Sequence, residues 1–106
     1  MLSPREKKAV LSIVDNEGFW YGLTQYTDFR DTVKDPEFLQ LVRKFTTISD
    51  TIEKKDPDLV EFLSDEGGMD ELLYNTEDLA EEFPAVAKEI KMFDRIGTKL
   101  AGMLGI

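Results

Sequence analysis

The chain contains no cysteine and no histidine among its 106 residues. Disulfide staples, thiolate or imidazole metal sites, and Ser-His or Cys-His nucleophile systems are therefore excluded, and the fold must hold by packing. Long apolar runs are missing too. No stretch approaches the roughly 20 residues needed to span a bilayer. The opening residues Met-Leu-Ser-Pro-Arg-Glu-Lys-Lys lack the apolar core of a secretory signal. The expectation is a cytoplasmic protein without a membrane anchor. A further absence is local: residues 56–87 contain no Lys or Arg, yet carry eleven carboxylates. Residues 1–55 are balanced at nine basic and nine acidic groups, and residues 88–106 hold four basic and two acidic groups. One segment thus exceeds the whole net charge of −9. A one-sign surface steers cationic partners and repels nucleic acid and anionic membranes.

What is present fits a folded domain. A hydrophobic fraction of 42%, with seven Phe, three Tyr and one Trp, separates this composition from that of a disordered acidic tail. A chain of this length forms one domain, residues 1–106, and buries roughly two thirds of its unfolded surface.

The punctuation is helical throughout. Ser3, Pro4 and Glu6 combine an N-cap, a first-turn proline and a capping-box glutamate. Asp15-Asn16-Glu17-Gly18 reads as a break before an aromatic segment running from Phe19 to about Phe29. Asp35-Pro36 opens a helix over about 36–54, with Phe38, Leu41, Val42, Phe45, Ile48 and Ile52 at alternating threes and fours. Asp56-Pro57 starts another, and Gly67-Gly68 ends it. Thr76 is the expected cap of the last element. There Leu79, Phe83, Val86, Ile90, Phe93, Gly97, Leu100 and Leu104 sustain a 3.5-residue repeat, the pattern of helix pairing. Pro84 predicts a kink or break near Phe83. Gly97 and Ala101, four apart, allow another helix to approach closely. The predicted fold is all-α, a bundle of four to six helices with a long C-terminal helix kinked near Pro84.

Three features are candidates for function. In the acidic segment Asp58, Glu61 and Asp65 fall on one helical stripe, and Glu77, Asp78, Glu81 and Glu82 line the face opposite Leu79 and Phe83. Carboxylates three or four apart lie about 5–6 Å apart at Cβ, a density comparable with a phosphate backbone. With Glu66, Asp70, Glu71 and the aromatic Tyr74, these residues form the candidate partner-binding set. The alternative is a solvated face, since first-turn carboxylates also complement the helix dipole. Asp65-Glu66-Gly67-Gly68-Met69-Asp70-Glu71 lacks the ligand spacing of an EF-hand, so no metal site and no cofactor are expected. The second feature, the aromatic cluster Phe19, Trp20, Tyr21, Tyr26 and Phe29, is read chiefly as core. The third is the last helix. Its Met92 and Met103 alternate with Lys88, Lys91, Arg95 and Lys99, but its repeat favours packing over membrane contact. Basic residues elsewhere occur as scattered pairs, which argues against direct binding of nucleic acid.

The run Asn16-Glu17-Gly18-Phe19-Trp20-Tyr21, Tyr26-Thr27-Asp28-Phe29, then Lys34-Asp35-Pro36-Glu37-Phe38 and Leu41 resembles a pattern of small uncharacterised helical proteins of bacteriophages and other mobile elements. The pattern covers about residues 15–54. Thr27 stands where serine is usual, and Leu39 where a polar residue is usual. The resemblance implies a phage or mobile-element origin and transfers no functional residues. Together these readings describe a non-enzymatic acidic protein that inhibits or modulates a protein with a basic surface, such as a nucleic-acid-binding protein or nuclease. The alternative is an oligomeric assembly protein, a homodimer or larger, built on the two 3.5-repeat seams.

Overall fold

Local capping sets the helix starts, and the first does more than begin a helix. In the computed structural model, which describes residues 2–26, 29–66 and 68–106 (29, 30 and 66 as backbone), α1 spans Pro4–Glu17. Glu6 N–H donates to Ser3 Oγ at 3.2 Å, and Ser3 N–H donates to Glu6 Oε1 at 2.9 Å. The second oxygen, Oε2, accepts the Lys34 N–H at 2.8 Å. One carboxylate thus closes a capping box and fastens the segment leading into the next long helix.

These hydrogen bonds favour the charged form and lower the Glu6 pKa below 4.5, the Ser3 N–H most and the Lys34 N–H next. A lowered folded-state pKa adds stability above the unfolded value, and that stability is lost as pH falls through the folded value. Glu6→Gln is therefore expected to melt below the parent at pH 7, with the gap narrowing as pH falls below 4.5. Thermal melts followed by circular dichroism at pH 7 and pH 3 read this directly. A gap that stays constant would assign Glu6 no electrostatic part.

Gly18 ends α1 with φ +92°, donating its N–H to Val14 O at 2.8 Å. Helix α2 (Phe19–Gln25) follows at once, and α3 is a single turn, Phe29–Thr32. Asp35 caps α4 (Pro36–Lys55), accepting the Phe38 N–H at 3.0 Å. Asp56 accepts the Leu59 N–H at 3.2 Å in the first turn of α5 (Pro57–Glu66). Of the two glycines expected to end α5, Gly68 has φ +90° and Gly67 lies outside the described residues. A four-residue turn, α6 (Glu71–Tyr74), leads into α7 (Thr76–Glu82), a 3₁₀ turn over Pro84–Val86 and the long α8 (Ala87–Leu104). Among the described residues there is no strand, and six helices have seven residues or more. The chain is all-α.

The core forms around α4 and α8, which run antiparallel. Phe45 stacks on Phe93 with centroids 4.4 Å apart, and the end of α4 meets the start of α8 where Lys55 Nζ reaches Glu89 Oε2 at 3.0 Å. Both seams face inward. On α4, Phe38, Leu41, Val42, Phe45 and Ile52 are buried and Ile48 is half-buried. Leu79, Val86, Ile90, Phe93, Gly97, Leu100 and Leu104 are buried as well. The Lys55–Glu89 pair is exposed at its lysine end, so Lys55→Ala should change stability by less than about 1 kcal/mol, and by less still in high salt. Urea titrations at low and high salt measure this.

One expectation is sharpened and one needs adjustment. Of the kink or break expected near Phe83, Pro84 produces the break. Phe83, ahead of the proline, adopts φ −121° and ψ 70°, outside the helical region, so α7 and α8 are separate helices joined by the 3₁₀ turn. Thr76 does not cap α7. Its hydroxyl donates back to Leu72 O at 2.7 Å, and Asn75 holds the cap position without a side-chain bond.

Candidate functional site

The acidic segment folds into α5, α6 and α7, and its carboxylates separate into distinct groups. Asp58, Glu61 and Asp65 are exposed along α5, as their spacing predicts. Phe62 stands among them, 38% exposed, and leans on Phe83 with centroids 5.9 Å apart. That contact sets α5 beside the end of α7. A small hollow of about 180 Å³ between them is lined by Phe62, Glu71, Asn75, Asp78 and Glu82. Asn75 Nδ2 holds Glu71 Oε2 at 2.7 Å. Glu81 is exposed on α7, and the side chain of Glu66 lies outside the described residues. No described carboxylate of residues 56–87 has a described Lys or Arg nitrogen within 4.0 Å; the ion pair among the described residues is Lys55–Glu89. The acidic face comprises Asp58, Glu61 and Asp65, exposed along α5, with Asp78 and Glu82 of α7 bordering the hollow at Phe62.

Glu77 and Asp70 depart from that face. Glu77 turns toward α8, where it shares a hollow with Lys91 and Arg95. Asp70 points inward. Its Oδ1 accepts the Trp20 N–H at 3.0 Å, fifty residues away in sequence, and supplies the cap that Gly18 cannot offer to α2. Burial raises the Asp70 pKa above 3.8, and the N–H groups of Trp20 and Phe19 pull it back only in part.

A second hollow was not visible in the sequence. It measures about 490 Å³ and opens between the junction of α1 with α2 on one side and α6 with α8 on the other. Phe19, Leu73 and Ala101 form apolar walls, Asp70 and Asp94 supply its charges, and Tyr74 stands at the rim with 78% of its surface exposed. Gly97 makes this geometry possible. A Cβ there would lie 2.7 Å from Leu73 Cδ2 and 3.2 Å from Phe45 Cε1, so glycine lets α6 settle directly on α8. The close approach expected at Gly97 is thus made by Leu73. Asp94 reads in the sequence as one more solvated helix carboxylate, and nothing in its neighbours marks it out.

The aromatic cluster divides between core and surface. Phe19 meets Phe45 edge-on at 5.8 Å and Trp20 is half-buried, whereas Tyr21 is 45% exposed. The side chain of Phe29 lies outside the described residues. Among the described residues no three acidic side chains converge on a point that would hold a metal ion, and no helix is long and apolar enough to cross a membrane. No protein-family model, curated protein or solved structure matches this chain.

Proposed function

We propose that the protein acts without catalysis, by presenting the α5–α7 face to a basic surface of another protein and occupying a site that would otherwise take a nucleic-acid backbone. The observation that carries this reading is the exposed row Asp58, Glu61 and Asp65, with Asp78 and Glu82 bordering the hollow at Phe62, Glu81 exposed on α7, and no basic side chain paired to any of them among the described residues. Uncompensated charge of one sign raises association rates with cationic partners and selects against anionic ones. Phe62, seated among these carboxylates, supplies apolar area where charge alone gives little affinity. Such a protein works in the compartment of its target, here the cytoplasm. The resemblance to phage and mobile-element proteins makes a host nuclease or defence protein a natural target. The oligomeric reading is weaker, because the seams that motivated it are buried within the chain itself.

The test compares two baits, the parent and a variant with Asp58, Glu61 and Asp65 changed to Lys, whose folding is checked by thermal melting. These positions are exposed, so the variant should fold as the parent does. The parent is expected to retain nucleic-acid-binding proteins that heparin displaces, and the variant to lose them. Equal retention by both baits refutes the proposal.

A further inference from the structure

The cleft between α2, α6 and α8 borders the acidic face but differs from it in kind. The α5 carboxylates stand in solvent, whereas Asp70 sits in a concave, largely apolar space with no Lys or Arg among the described residues lining it. Asp94 stands at its edge and also borders the neighbouring hollow of Lys91 and Arg95. Asp70 lies in a place that penalises charge, and among the described residues the groups that answer it are the backbone N–H groups of Trp20 and Phe19. A cation entering the cleft would meet in Asp70 a carboxylate already stripped of part of its water, where attraction is less screened than on the open face. The apolar walls at Phe19, Leu73 and Ala101 suit an aliphatic stem, and the exposed Tyr74 ring offers its face to a delocalised cation. Arginine meets these demands better than lysine: its guanidinium is flat, weakly hydrated, able to stack on an aromatic ring and able to bond two carboxylates at once.

We propose that the cleft is an anchor pocket for an arginine side chain projecting from the partner's basic surface. This rests on the reading above, in which the α5–α7 face meets such a surface, and it names the side chain that would fix the register of the two proteins. The α5 row gives long-range attraction; the cleft gives one buried, oriented contact of the kind that dominates binding energy.

The pocket can be tested without the partner. The intact, ¹⁵N-labelled protein is titrated with the peptide acetyl-Gly-Arg-Gly-amide while amide shifts are followed by NMR, and the same peptide carrying citrulline, the uncharged isostere, serves as control. The expected result is saturable shifts at Gly18, Phe19, Gly97 and Thr98 with the arginine peptide and none with citrulline. Asp94→Asn should weaken binding about threefold to fivefold, the range of a partly exposed ion pair. Tyr74→Ala should weaken it about twofold to fourfold, as an exposed cation–π contact does. Neither side chain makes a hydrogen bond among the described residues, and Tyr74 is open to solvent, so both variants should fold. Equal responses to arginine and citrulline, shifts spread along α5 and α7, or unchanged binding in Asp94→Asn would each overturn the pocket. The two proposals fail separately. A saturable arginine response together with equal retention by the two baits removes the acidic-face reading alone, whereas loss of retention by the Lys variant with no localised response removes the pocket alone.

Discussion

Phe45→Ala is expected to destabilise the protein by about 3–5 kcal/mol, the largest effect of any substitution considered. Phe45 is fully buried at the middle of α4, and its ring meets both α2 and α8. It stacks on Phe93 of α8 at 4.4 Å and takes the edge of Phe19 of α2 at 5.8 Å. Its Cε1 also lies just beneath Gly97, where Leu73 of α6 comes down on α8. Truncation to alanine removes the transfer term of the ring, leaves a cavity that three helices cannot jointly close, and loses two aromatic contacts. A small domain has about 5–15 kcal/mol in total, so a loss of this size leaves it close to the unfolding threshold at ordinary temperature. Denaturant titration of Phe45→Ala against Phe45→Leu decides the matter, because leucine keeps most of the volume and should recover more than half of the loss. Equal losses for the two variants would mean that ring geometry, not space filling, holds the three helices. Losses below about 1 kcal/mol for both would mean that the core closes around the gap.

This core was the legible part of the sequence. Phe38, Leu41, Val42, Phe45 and Ile52, like Ile90, Phe93, Leu100 and Leu104, lie where a period near 3.6 puts them, because burial on one helical face is what selects apolar residues at that spacing. Helix starts were legible for a related reason: Ser3, Asp35 and Asp56 cap within their own first turns, so the information lies within four residues. Thr76 was misread because threonine oxygen has two local options. With Leu72 O in reach one turn back, its hydroxyl donates there instead of accepting at the helix start.

The site was legible only in part. Its charge can be counted, and Asp58, Glu61 and Asp65 stand on the face their spacing predicts. The direction of the other carboxylates depends on tertiary neighbours. Asp78 and Glu82 share a hollow with Phe62, Glu77 faces Lys91 and Arg95, and Asp70 turns to a helix end fifty residues earlier in the chain. No local pattern encodes those choices. One signal was available: Gly18 precedes Phe19 and Trp20 without offering a side chain, so a helix beginning there needs its cap from elsewhere.

That borrowed cap gives the second large effect. Asp70→Ala is expected to cost about 2 kcal/mol, the upper part of the range for a lost N-cap, because the Trp20 N–H is left without an acceptor in a part-buried position. Asp70→Asn keeps a carbonyl oxygen where Oδ1 now accepts and should cost less than half as much at neutral pH. The pH dependence distinguishes this carboxylate from Glu6 and Glu89, whose pKa values are both lowered, that of Glu89 chiefly by its hydrogen bond from Lys55. The Asp70 pKa is raised above 3.8, so between the unfolded and folded values the native state binds more protons than the unfolded chain. The contribution of this group to stability therefore falls as pH rises through that window, while those of Glu6 and Glu89 rise with pH. Asparagine does not titrate. Measured against the parent, Asp70→Asn should be least favourable below pH 3.8 and improve as pH rises past the folded-state value, whereas Asp70→Ala stays destabilised on both sides. Melting curves of the three proteins at pH 3, 5 and 7 show the sign at once. An Asp70→Asn difference that worsened with rising pH would mean that the N–H groups of Phe19 and Trp20 outweigh desolvation, and that the cleft holds its negative charge comfortably without any cation.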